Sequence, residues 1–335
     1  MRCAITRLLE SDAMIQVIGT ARDGVEALEK LELLRPDVLT LDVEMPRMDG
    51  LTTLARIMER SPTPVVMLSA LTVEGAEATL RALHLGAVDF VPKPSGSLSL
   101  NIQESKEEIL RKVKTAARAR LTRSSPAAKE AARPASTGTK ATPGRFSRRH
   151  KLIVIGSSTG GPKALHLLLP QLPADLPACV LIVQHMPAGF TRCLADGLDR
   201  ISSIVVREAQ AGDRLAAGLA LVAPGDRHLI LREGDRISLD ERAPRLHGVR
   251  PAVDITLESA ARLYGPAVVA VILTGMGSDG TQGAALVKAH KGHVIAEDES
   301  TCIVYGMPKQ VVEGGHADEV LPLPQIVPEL VRLTT

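Results

Sequence analysis

At 335 residues the chain is long enough for two domains of the usual one to two hundred residues, and 45% hydrophobic with 23% charged residues is a globular balance, neither disordered nor collagen-like. With 3 Phe, 2 Tyr and no Trp the core must be aliphatic, which excludes the aromatic platforms on which single-stranded nucleic acid stacks. The net charge of +2 is unevenly spread: residues 111–150 hold 12 Lys or Arg against a single acid, Glu130, so the remainder of the chain is acidic.

Cys3, Cys179, Cys193 and Cys302 have no C-x-x-C or ligand-like spacing. That argues against a structural zinc or a disulfide framework and for a reducing compartment. The longest apolar run, around 267–273, falls well short of the roughly 20 residues a membrane helix needs. Glu10 and Asp12 stand where a secretion signal would be apolar. The expectation is a cytoplasmic protein with no membrane insertion.

Short β-branched runs alternate with helical patterns in both halves, the signature of parallel βαβ units, so two three-layer α/β domains are expected. In the first half strands are predicted at 14–20 (MIQVIGT), 37–42 (DVLTLD), 64–70 (PVVMLSA) and 89–93 (DFVPK), with helices near 25–34, 51–60 and 76–85. In open parallel sheets the carboxyl ends of the strands form the ligand crevice. Asp42, Ser69 and Lys93 each end a predicted strand there. An Asp after a strand is commonly only a helix N-cap, but an acid, a hydroxyl and a lysine at three strand ends form a constellation.

The segment PDVLTLDVEMPRMDGL closely resembles the phosphoacceptor segment of two-component receiver domains, with Asp42 at the position that takes a phosphoryl group from a histidine kinase. VVMLSAL, containing Ser69, and DFVPKP, containing Lys93, resemble that family's switch hydroxyl and phosphate-contacting lysine. The resemblance implies a flavodoxin-like receiver over residues 1–104 and Mg²⁺ for its phosphorylation. A receiver opens with a strand ending in two adjacent acids that help hold Mg²⁺; this sequence opens with MRCAITRLLESD, which looks like the middle of the first helix. Neither Asp12 nor Asp23 follows a strand beside Asp42. The expectation is a receiver with an incomplete Mg²⁺ site and an exposed apolar groove, or a start codon set too far downstream.

Residues 105–150 are predicted to be a basic linker. RSSPAAKEAARPASTGTKATPGR has almost no large apolar side chain and cannot offset the cost of ordering its backbone. A solvated, self-repelling connector fits this composition; a basic tail that binds nucleic acid or anionic lipid is the other reading.

In the second half KLIVIG (151–156), ACVLIVQ (178–184), SSIVVRE (202–208), AVVAVILTG (267–275) and GHVIAED (292–298) read as strands. LIVIGSSTGGPKAL is a strand, a tight Gly-rich turn and a helix. Gly156-Ser157-Ser158-Thr159-Gly160 fits the G-x-S-x-G nucleophile elbow, which lifts Ser158 off the strand end. The following helix would aim free N–H groups at an oxyanion forming there. A phosphate-cradling loop has the same local pattern.

A serine hydroxyl needs a base, and the base an orienting acid. VQHMPAGF places His185 directly after a strand, and LTGMGSDGTQG places Asp279 in a Gly-rich turn after the most apolar strand. His84 and His166 fall within helical patterns, His150 in the linker, and the other five follow no long apolar strand. The order Ser, His, Asp differs from the Ser, acid, His order of α/β-hydrolases.

IGSSTGGP, VQHMPAGFT, VAPGDRHL, VRPAVD and LTGMGSDGTQG together are similar to the catalytic domain of the chemotaxis protein-glutamate methylesterases, over residues 151–335. The resemblance implies a Rossmann-like serine hydrolase that demethylates glutamate on chemotaxis receptors and deamidates receptor glutamine. Ser158 would be the nucleophile, His185 the base, and Asp279 the orienting acid. Backbone N–H groups at Thr159 and Met276 would bind the oxyanion, with no metal or organic cofactor for the esterase. Arg250 and Asp254 lie in a segment the family places near the active-site rim, outside the catalytic set. In the family the receiver covers the active site until it is phosphorylated; with an incomplete receiver the esterase is expected to be open without phosphorylation. The alternative is an anion-binding or adaptor protein built on the same two folds.

Overall fold

A computed structural model describes residues 2–70, 72–93, 101–119, 140, 142–147 and 149–335, without the side chains of 101–105. Two compact units divide the chain, residues 1–121 and 122–335. Most of the Ala/Ser/Pro-rich stretch on which the linker expectation rests, residues 123–139 and 141, lies outside the described residues.

In the first unit α1 (Arg2–Leu9) and α2 (Gly24–Leu34) precede β1 (Leu39–Asp42), α3 (Gly50–Arg60), β2 (Val65–Ser69), α4 (Val73–Leu85), β3 (Asp89–Pro92) and α5 (Asn101–Ala116). The three strands form one parallel sheet in the order β1-β2-β3. Helix starts follow side-chain chemistry: Asp23 accepts from the Val25 and Glu26 N–H groups, and Asp49 from Thr52.

Two expectations are corrected here. Residues 14–20 form no strand. Their alternating pattern supplies one apolar face, but a strand is held by its ladder; β1 pairs only with β2, and no described strand lies beside 14–20. Met14 and Ile18 stay exposed. Residues 105–116, composed like the start of a linker, instead continue α5, which buries Ile109, Val113 and Ala116 at the i, i+4, i+7 spacing of one helix face.

In the second unit β4 (Gly144–Arg145) pairs with β8 (Ala216–Ala217), and Phe146 enters the core. Then follow β5 (Lys151–Ser157), α6 (Gly161–Leu168), β6 (Ala178–Gln184), α7 (Phe190–Ile201), β7 (Val205–Glu208), β9 (Leu219–Val222), β10 (His228–Arg232), β11 (Arg236–Asp240), α8 (Val253–Tyr264), β12 (Val268–Ile272), α9 (Thr281–Ala289), β13 (His293–Glu297), α10 (Met307–Glu313), β14 (Glu319–Leu321) and α11 (Leu323–Thr334). Seven strands form a wholly parallel sheet in the order β14-β13-β12-β5-β6-β9-β7. Every residue of β6, β9 and β12 is buried, as strands covered on both faces require. The antiparallel pair β10-β11 stands apart from this sheet and is tied to α8 by the Thr256 hydroxyl on the Leu229 carbonyl.

The chain builds outward from β5 first through β6 and later through β12, so the sheet reverses direction at its centre. In doubly wound folds the crevice at the carboxyl ends of strands beside such a switch point is where ligands bind. Among the described residues no helix is long and apolar enough to cross a membrane.

Candidate active site

Ser158, His185 and the 274–279 loop leave the carboxyl ends of β5, β6 and β12, three neighbours in the sheet. The chain after β5 turns sharply. Gly160 has φ +84°, and a Cβ there would lie 2.8 Å from the Ile303 Cβ, so only glycine suits the turn before α6. The half-buried Ser158 is fixed by its backbone, its N–H donating to the Thr274 carbonyl at 3.1 Å and its carbonyl accepting from Gly161 at 2.8 Å. In the β5-β6 ladder Ser157 faces Gln184, and the His185 N–H donates to the Ser157 carbonyl at 3.1 Å. That register sets Ser158 beside His185.

His185 Nε2 meets Asp279 Oδ2 at 2.7 Å. Asp279 is buried at the start of α8, where its two oxygens accept from the Val253 N–H at 2.7 Å and the Asp254 N–H at 2.9 Å. These are the unpaired donors at the positive end of a helix dipole. Burial pushes the Asp279 carboxyl up, but the His185 bond and the helix N–H groups outweigh it and hold the carboxyl below its ordinary value. The acid therefore stays ionised as the imidazole's partner.

Beside it lies a second pair. Asp254 accepts from the Gly283 N–H at 2.7 Å and from His247 Nε2 at 2.9 Å. Burial, with the Asp279 charge adding to it, pushes the Asp254 carboxyl up. The ligand atoms of His247, Asp254 and Asp279 lie within 4.8 Å of one another, yet both carboxylates are already occupied by N–H donors. The other such group among the described residues, His293, Glu319 and Glu329, has Arg332 among its carboxylates.

The start of the loop after β12 is braced by side-chain hydrogen bonds. Thr274 donates its N–H to the buried Glu297 at 2.7 Å and its hydroxyl to the Thr159 carbonyl at 3.0 Å. A Cβ on Gly275 would lie 2.9 Å from the Ser158 Cβ, so this backbone passes directly over the serine. Thr159 and Met276, the residues expected to supply oxyanion N–H groups, are the chain neighbours of Ser158 and Gly275, in the two loops that meet there. Arg250 donates to the Glu241 carbonyl at 2.6 Å and the Ala243 carbonyl at 2.8 Å, bracing its own loop.

In the first unit Lys93 Nζ lies 2.8 Å from Asp42 Oδ1, so these two predicted receiver residues come together. The third does not join them: the Ser69 hydroxyl is buried and donates to the Gly75 carbonyl at 3.0 Å. The Mg²⁺ implied by the receiver resemblance needs several oxygen ligands, and among the described residues no group of three ligating side chains includes Asp42. Asp12 is paired with Lys114, and Asp23 with Arg47.

Three residues now beside the site were not predicted from sequence: Gln184, His247 and Glu297. Gln184 and Glu297 had a visible signal, each being a polar side chain at the end of a strand and directly after a run of apolar residues. His247 had none.

Residues 153–330 match the family model described as CheB methylesterase, and residues 1–102 the one described as response regulator receiver domain. The chain is 54% identical over 341 residues to the protein-glutamate methylesterase/protein-glutamine glutaminase of Symbiobacterium thermophilum, covering 99% of this chain and 93% of that protein. It is 44% identical over 339 residues to the protein of the same description from Thermotoga maritima, covering 99% and 95%. The solved Thermotoga maritima CheB methylesterase catalytic domain matches 55% of this chain and 98% of its own, at 50% identity and a TM-score of 0.54.

Proposed function

The chain belongs to the CheB methylesterase family with a response regulator receiver domain ahead of the catalytic domain, and from that premise we propose that Ser158, His185 and Asp279 carry the hydrolysis of methylated glutamate and the deamidation of glutamine on chemotaxis receptors. The observation that carries the assignment is the placement of these three side chains on adjacent strand ends, with His185 bonded to a buried, ionised Asp279.

Ser158 Oγ attacks the γ-carboxyl carbon of the methylated glutamate while His185 takes its proton. Because Nε2 is engaged by Asp279, Nδ1 is the ring nitrogen available for that transfer. Asp279 holds the ring and stabilises the imidazolium. The tetrahedral oxyanion is received by the backbone N–H groups of Thr159 and Met276. Collapse expels methanol, or ammonia from glutamine, with the proton returned by His185. Water, deprotonated by His185, then attacks the acyl carbon; the bond to Ser158 Oγ breaks, His185 returns the proton to that oxygen, and glutamate is left.

In the first unit Asp42 is read as the receiver family's phosphoacceptor position, toward a chemotaxis histidine kinase, and the Lys93 contact supports that reading; with no three-ligand group of side chains around Asp42 among the described residues, the esterase is read as open without that phosphorylation. The setting is the cytoplasm, where such kinases and the receptors' signalling helices lie. Incubating the purified chain with methylated receptor signalling fragments should release methanol, and with glutamine-bearing fragments ammonia. Release of neither by folded protein would overturn the assignment.

A further inference from the structure

Gln184 ends β6 with its carboxamide buried and every polar atom engaged. Oε1 accepts from the Ser157 hydroxyl at 2.7 Å. The single Nε2 donates to two main-chain carbonyls, that of Ser158 at 3.0 Å and that of His185 at 3.1 Å. One side chain therefore spans the two turns that leave β5 and β6. The space beside it is filled: a Cβ at Gly161 would lie 2.0 Å from Gln184 Oε1, so α6 starts against this amide. The amide's orientation is dictated by its partners, since carbonyl oxygens only accept and the NH₂ group only donates.

Resting on the reading of Ser158 and His185 as nucleophile and base, we propose that Gln184 is a positioning residue that fixes the distance and orientation between them by clamping both of their carbonyls. Its two donor bonds tie the turn after β5 directly to the turn after β6. A strand ladder sets neighbouring residues only as far as its last rung, Ser157 opposite Gln184. The His185 N–H on the Ser157 carbonyl closes that rung, and the amide supplies the next cross-link.

Gln184→Met keeps the length and removes both donors; it is expected to lower kcat about tenfold or more with KM little changed, because small displacements of reacting groups act on the chemical step. Gln184→Glu sets an acceptor oxygen against two carbonyls and is expected to lower kcat further, by about 10²-fold. Both variants are assayed as the full chain by methanol release, with folding read by thermal melting. A kcat loss in folded Gln184→Met exceeding any loss of folded protein supports the proposal; if Gln184→Glu does not fold, Gln184→Met decides. Unchanged kcat in Gln184→Met overturns it, as does a parallel fall in kcat and folded fraction, or failure of both variants to fold, which makes Gln184 structural. Ser158→Ala in the same assay separates the two levels. If Ser158→Ala is inactive while Gln184→Met is fully active, only the clamp fails; if Ser158→Ala turns over, the underlying site reading fails.

Discussion

Ser158→Ala is expected to abolish methanol release from methylated receptor, with kcat falling roughly 10⁴–10⁶-fold as when the nucleophile of other serine hydrolases is removed. The loss should be catalytic rather than structural. Ser158 is held by its backbone, through the Thr274 carbonyl and the Gly161 N–H, and those bonds survive removal of the hydroxyl. Melting of the variant should therefore match that of the unaltered chain. His185→Ala should cost nearly as much, since the hydroxyl left behind loses its assigned base. The double variant should be little worse than either single one, because residues that act as a unit are not additive. Release of methanol by Ser158→Ala at more than about a tenth of the original rate would remove the serine from the mechanism.

Asp279→Asn is expected to lower kcat by roughly 10⁴-fold, the scale on which loss of an orienting carboxylate acts in serine hydrolases. The local geometry explains why the amide is a poor substitute. Both carboxylate oxygens accept N–H groups from the start of α8, and one of them also meets His185. An asparagine must turn its NH₂ toward at least one of these donors. The same substitution has a pH signature in stability. The folded Asp279 carboxyl is held below its ordinary value, so it contributes stability that is present above the unfolded carboxyl value, about 3.9. That contribution is lost as pH falls through the folded value. The melting deficit of Asp279→Asn should thus be largest near neutral pH and shrink below about pH 4. A deficit independent of pH would mean that ionisation of this group contributes nothing to the fold.

The position of the candidate site was readable because its residues lie in loops that leave strand ends. β-branched runs followed by turns put Ser158, His185 and Asp279 after strands of one sheet, and the alternation of strands and helices was enough for two α/β domains. What escaped was what backbone or long-range pairing decides. The strand expected at 14–20 had a strand's pattern but no ladder partner. β9 has only the four residues LALV, too short to separate from the turns around it, yet it pairs with both β6 and β7 in the main sheet. The acid of the site is held by the N–H groups of Val253 and Asp254, and a main-chain donor leaves no mark in a sequence. Summed composition over a long basic stretch also hid the helical spacing of Ile109, Val113 and Ala116, which α5 buries.

The claim that the second unit is a serine hydrolase acting through Ser158 is tested most directly by exposing the full chain to a small serine-directed phosphonylating reagent and locating the adduct by peptide mass. A single adduct on the peptide carrying Ser158, formed quickly by the unaltered chain and hardly at all by His185→Ala, is the predicted result. An intact, unlabelled Ser158 in folded protein would contradict the account, and with an inorganic phosphate ion bound at the Gly156–Gly161 turn it would mark that turn as an anion-binding loop instead.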